Sequence, residues 1–201
     1  MKIIKYFKEH KFLFMIIFAV LFAVYNGIIG LIYKSTWHIS IFGYYLLLLI
    51  VKCFVIYMET KNKGNAKKEK NVFVFTTILL FIISIALIAP LAIMVLNKRI
   101  ITFSLEVSIG IAAYTTYKVT LSIISYVKRR KLNGIMIREL QTIGIIESIV
   151  SILTLQNTLI SVNGGSDRSL YNMTIATSFV GWAFILFFLI FMLVEERKNK
   201  K

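Results

Sequence analysis

Several residue types that usually carry chemistry are nearly absent from this chain. It holds one cysteine, one proline and two histidines. Asp167 is its only aspartate. A lone cysteine, Cys53, cannot close an internal disulfide or build a multi-cysteine metal site. It lies in an apolar run and reads as a small buried hydrophobe rather than a reactive thiol. The histidines, His10 and His38, stand near the ends of apolar runs. No HExxH, GxSxG, P-loop or CxxC pattern occurs. A single aspartate excludes the paired aspartates of an intramembrane protease. No catalytic set is found, so no enzyme, metal or cofactor is expected. With so little proline and ten glycines, there is no linker or low-complexity segment, and residues 1–201 read as a single domain.

Acidic residues are also scarce. Nine stand against 24 lysines and arginines, for a formal net charge of +15. In a soluble protein that balance suggests nucleic acid. Here the positive residues fall between long apolar runs, and 58% of the chain is hydrophobic. A typical soluble domain has about 45–50%. The partner expected for the basic segments is therefore a bilayer with anionic headgroups, at about 1 kcal/mol per Lys or Arg. No nucleic acid is expected. The excess of lysine over arginine, with abundant Ile and Asn, suits an AT-rich bacterial genome.

Six apolar runs can be read, at residues 12–33, 39–58, 72–96, 101–127, 140–161 and 170–194. Each is long enough to cross a hydrocarbon core of about 30 Å at about 1.5 Å per residue. They are continuous rather than alternating, so helices are expected, not barrel strands. The connections alternate in charge. The first segment and the loops or tail at 59–71, 128–138 and 195–201 hold 18 basic residues. The other three hold four: Lys34, Lys98, Arg99 and Arg168. The fold expected is an all-α polytopic bundle of six transmembrane helices in the plasma membrane, with both termini cytoplasmic. The first run is too long for a signal peptide and lacks a cleavage site, so it reads as a retained helix. Pro90 is expected to kink or end the third helix, and Asp167 and Ser169 to cap the sixth. Trp37 and Tyr33 should lie in an outer aromatic belt, and Tyr6, Tyr57 and Tyr126 in an inner one.

Charges inside the runs are the candidate functional residues. Lys118 lies about 15 Å from the inner surface, Glu147 and Lys52 about 13 Å, and Glu106 about 7 Å from the outer surface. A charge at a helix centre costs about 2.5–3.5 kcal/mol on insertion scales, and such residues face the bundle interior and pair. The fourth and fifth helices are joined by a short loop and are expected to be antiparallel neighbours. Lys118 and Glu147 are therefore expected to meet. Tyr114, Lys118, Ser122 and Ser125 share one face of the fourth helix, with Glu106 and Tyr117 on an adjacent one. Glu147, Ser151, Thr154 and Thr158 share a face of the fifth, and Tyr45, Lys52 and Glu59 recur every seventh residue of the second. Asn26, Gln156 and Asn157 are expected to form a polar patch near Glu106. Each of these features also has a structural reading. Small polar stripes pack helices, an ion pair sets register, and Lys52 can snorkel toward the cytoplasm.

The stretches "YTTYKVTLSIISYVKRRKLNG", "ESIVSILTLQN" and "YNGIIGLIYKSTWHISIFGYY" resemble a family of small six-span bacterial membrane proteins. That resemblance implies an integral membrane protein and no activity. The size and the small residues Ala19 and Ala23 in "AVLFA" also resemble the substrate-binding subunits of energy-coupling-factor vitamin transporters. The short "KSTWH" loop stands where that family has a long one. The function expected is a small-solute or ion transporter, or a membrane subunit of one, with a polar midplane site formed by Lys118, Glu147 and Lys52. Glu147 would be its titratable group. The alternative is a non-transporting accessory, sensor or assembly subunit that acts through a protein partner or as a homo-oligomer.

Overall fold

The computed structural model describes the backbone of residues 2–62, 65–89, 92, 103–129, 135–162 and 168–198. Within helices, side chains are described except at 2–15, 59–60, 62, 66, 128–129, 135–137, 168, 170–171, 174 and 195–198. Six helices account for nearly all of this: α1 (Lys2–Ile32), α2 (Thr36–Asn62), α3 (Ala66–Ala86), α4 (Leu105–Arg129), α5 (Ile135–Val162) and α6 (Arg168–Lys198). Five of them, α2 to α6, are long and apolar enough to cross a membrane, and α1 adds an apolar stretch at Ile16–Ile32. Most helices run past the apolar boundaries read from the sequence. The flanking Lys, Glu and Asn residues still form good helical turns once the apolar part has nucleated them. The third is the exception, with α3 ending at Ala86 and Leu87 capping it. Pro90 and Asp167 lie outside the described residues. Ser169 falls inside the first turn of α6.

The faces of the helices are inverted relative to a water-soluble bundle. Large apolar side chains point outward, with Leu31 73% exposed, Val180 69% and Phe187 67%. Polar and charged ones point in, among them Asn26, Lys52, Lys118, Glu139 and Glu147. Apolar area on this scale marks a surface that meets lipid or a partner. The chain thus has the build of a membrane-embedded helical protein. Many inward hydroxyls satisfy themselves on their own helix: Thr77 donates to the Phe73 carbonyl at 2.8 Å, Thr154 to Val150 at 2.9 Å and Thr158 to Thr154 at 2.8 Å. That removes the cost of an unpaired donor in an apolar phase.

The central helices are α2 and α5. α2 packs on α1, α3 and α5, and α5 packs on α2, α3, α4 and α6. α6 also closes on α3, where the Trp182 indole donates to the Ser84 carbonyl at 2.9 Å. The apolar core runs along this axis through Ile41, Leu48, Val55, Ile143, Ile146 and Ile185.

Two expectations from the sequence are corrected here. Cys53 is exposed, not buried. Its neighbour Lys52 is turned inward, and one residue on along a helix swings a side chain about 100° toward the outer face. Trp37 is 6% exposed and belongs to the core, so it is no belt residue. Tyr57 and Tyr126 are exposed near the C-terminal ends of their helices.

The turn between α1 and α2 is tight. Lys34 adopts a positive φ of 51°, and the Ser35 N–H returns to the Gly30 carbonyl at 2.9 Å. A Cβ on Gly30 would lie 2.6 Å from Ile39 Cγ1 and 2.8 Å from the Ile39 nitrogen. The backbone has no way to give there without opening the hairpin. A Cβ on Gly43 meets nothing within 4 Å. Gly30→Ala should therefore destabilise by about 1–3 kcal/mol. Gly43→Ala should stabilise by roughly 0.5–1 kcal/mol through helix propensity. Thermal unfolding in detergent, followed by fluorescence-detected size exclusion, measures both. Equal effects would mean that α1 and α2 do not approach this closely.

Candidate functional site: a buried ionic cluster

Three helices converge on one carboxylate. Lys52 of α2 donates to Glu147 Oε1 at 2.6 Å. Lys118 of α4 donates to Oε2 of the same carboxylate. Glu147 is fully buried, Lys52 is 1% exposed and Lys118 3%. The Tyr45 hydroxyl, seven residues before Lys52 on α2, donates to the Glu147 backbone carbonyl at 2.8 Å. The heptad spacing of Tyr45 and Lys52 puts both on the α2 face that meets α5. The side chain of Glu59, next in that series, lies outside the described residues.

Lys118 reaches Glu147 because α4 and α5 form a continuous antiparallel seam. Thr115 donates to the Ser151 carbonyl at 3.1 Å. Ser122 donates to the Gly144 carbonyl at 2.9 Å and meets the Ser148 hydroxyl at 2.6 Å. Gln141 donates to the Ser125 carbonyl at 3.0 Å. Ten residues forward on α4, from 115 to 125, are matched by ten back on α5, from 151 to 141. The α4 positions 115, 118, 122 and 125 follow the alternating three- and four-residue spacing of a coiled-coil seam. Small polar residues let the two backbones come close.

The electrostatic balance of the cluster is unequal. With all three groups ionised, two ammonium ions share one carboxylate and the site carries one surplus positive charge. Each ammonium uses one of its three donors on Glu147. A buried ion pair costs desolvation that only good geometry returns, and Glu147 offsets part of it by bonding with both oxygens.

The other residues singled out from the sequence lie around the cluster or away from it. Ser151 is buried on the seam, and its hydroxyl donates to the Ser148 carbonyl at 2.8 Å. Tyr114 stacks on Phe22 of α1 with ring centroids 3.6 Å apart, and its buried hydroxyl has no hydrogen-bond partner. Thr115, not Tyr114, occupies the seam. Tyr117 also turns toward α1, against Phe18 at 4.7 Å. Asn26 is buried and donates to the Phe22 carbonyl at 2.9 Å, with Oδ1 unpartnered. The expected patch around Glu106 is not assembled. Glu106 is exposed in the first turn of α4, where a carboxylate favours the positive end of the helix dipole. Gln156 bonds Thr177 of α6 instead. Asn157 is half-buried, and its backbone carbonyl takes the Ser161 hydroxyl at 2.8 Å.

Sequence reasoning missed two buried groups. His38 is fully buried, with Nδ1 2.9 Å from the Ser35 hydroxyl and Nε2 3.4 Å from Thr158 on α5. Its signal was Thr158, at the end of the polar stripe that begins at Glu147. Glu139, near the start of α5, is also fully buried, and neither of its oxygens has a partner. Among the described residues, no three His, Cys, Asp or Glu side chains gather as metal ligands.

Comparison with protein-family models, with curated proteins and with solved structures finds no match for this chain.

Glu147→Gln would strand two buried ammonium ions and should destabilise by about 3–5 kcal/mol. Lys52→Met leaves a neutral Lys118–Glu147 pair and should cost much less. Replacing all three by Met and Gln should recover most of the loss. Thermal unfolding in detergent ranks the three proteins. A Glu147→Gln variant as stable as Lys52→Met would mean that the carboxylate does not hold both lysines.

Proposed function

We propose that this chain is a small six-span carrier, or the membrane subunit of one, in a bacterial plasma membrane. The ionic cluster is its solute or ion site. The observation that carries this reading is the convergence of Lys52, Lys118 and Glu147 from three separate helices. Charges within membrane helices are costly and cluster on transport paths. Here each ammonium keeps donors in reserve, so a bound solute could replace Glu147 on one of them. Binding would then compete with an ion pair and loosen α4 or α2 from α5, which is how a ligand biases two arrangements of a bundle. Both termini are cytoplasmic in this proposal, supported by the 18-to-4 division of basic residues between alternate connections.

A second reading rests on the closure of the cluster. Side chains buried to this degree are also what a permanent helix lock would show. In that case the chain is an accessory or assembly subunit, and its basic face docks a partner.

Two experiments test these proposals. Single cysteines at Lys34 and Lys63, in a Cys53→Ser background, should differ toward a membrane-impermeant maleimide in intact cells. Position 34 should label and position 63 should not; the reverse would invert the orientation. Purified chain should then be screened by thermal shift against panels of vitamins, amino acids and inorganic ions. A ligand at 100 times its Kd should stabilise it by about 2.7 kcal/mol, and Lys118→Met should lose that gain. A silent screen, with a stoichiometric partner retained in gentle detergent, would favour the accessory reading.

A further inference from the structure

Glu139 carries information that the cluster does not use. It lies eight residues before Glu147 on α5, about 12 Å away along the helix axis. Its residue is fully buried, and neither carboxyl oxygen has a hydrogen-bond partner. α5 packs against α2, α3, α4 and α6, yet no charged side chain among their described residues faces the Glu139 carboxyl. The one polar group that does is the Thr76 hydroxyl of α3.

Thr76 Oγ1 donates to the Val72 carbonyl at 2.9 Å, which competes for the one proton it could offer a carboxylate. An ionised carboxylate only accepts, and among the described residues neither Glu139 oxygen has a hydrogen-bond partner. A neutral carboxylic acid has a proton to offer to the free lone pair on Thr76. An unpaired buried charge sheds its charge rather than stay ionised. On the same helix Glu147 meets two ammonium ions and needs no proton.

We infer that Glu139 is a proton-binding site, occupied in the arrangement seen here. The two carboxyls of α5 then divide the work: Glu147 is the fixed anion of the cluster, and Glu139 is the group that exchanges a proton. The charges of the interior support this division. With Glu139 neutral, the buried groups Lys52, Lys118 and Glu147 sum to one positive charge. Loss of the Glu139 proton brings that sum to zero and sets a new carboxylate two helical turns from a surplus ammonium. One proton therefore sets the net charge of the buried interior. The inference holds whether or not the chain is a carrier. Within the carrier reading it names the proton as the coupling ion.

Infrared difference spectroscopy of purified protein tests it directly. A carboxylic-acid C=O band should be present at neutral pH, disappear at alkaline pH and be missing from Glu139→Gln. That variant mimics the neutral acid and should fold with unchanged thermal stability at neutral pH. Spectra of the two proteins that coincide at every pH would overturn the proposal. So would loss of the band on adding sodium at constant pH, which would make the site one for a metal cation. Dicyclohexylcarbodiimide, which reacts with protonated carboxyls, provides a second measurement. Adduct on the Glu139 peptide should exceed that on the Glu147 peptide at neutral pH. Above the midpoint it should fall about tenfold per pH unit. Equal modification of the two would also overturn the proposal.

Discussion

The structure turns on a carboxylate that must satisfy two ammonium ions while buried from solvent. Glu147 meets Lys52 and Lys118 with separate oxygens, so neither lysine can be released without leaving the other bond to carry the desolvation of three charges. That constraint fixes α2, α4 and α5 relative to one another. The Tyr45 bond to the Glu147 carbonyl adds a fourth point on the same level. The remaining helices pack around a core whose register is already set.

The α4–α5 seam extends this constraint along the bundle. Its contacts are short hydroxyl and amide bonds to backbone carbonyls. Each is worth only about 0.6 kcal/mol on average within a membrane, but they lie in phase with the Lys118–Glu147 bond. A slip by one residue would break all of them together. Polar contact here supplies register, while the apolar core through Leu48, Ile143 and Ile185 supplies bulk.

Much of this arrangement could be read from residue order. The helical character of the segments followed from run length, and the meeting of Lys118 with Glu147 followed from similar depth on neighbouring helices. Side-chain direction was harder to read. Tyr114 and Thr115 are adjacent, and periodicity alone placed the wrong one on the seam, because the aromatic ring found Phe22 on α1. Lys52 has a stem long enough to snorkel, and only the position of α2 against α5 shows that it turns inward. Gln156 pairs with Thr177 rather than joining Glu106, a choice made by how α6 packs. Glu139 stayed hidden because Arg138 and the basic loop beside it read as water-exposed. Its polar neighbour Thr76, on α3, is distant in sequence.

The order in which the cluster's members occur in the chain bears on how the protein is made. Lys118 and Glu147 are 29 residues apart, whereas Lys52 precedes Glu147 by 95. α4 and α5 can thus enter an apolar phase as one hairpin with their opposite charges already matched. α2 is synthesised well before its partner exists. Until α5 arrives, its lysine has to remain near the headgroups or be shielded by the insertion machinery. Final seating of α2 is therefore a late event in biogenesis, and the bundle closes only when the fifth helix delivers its carboxylate.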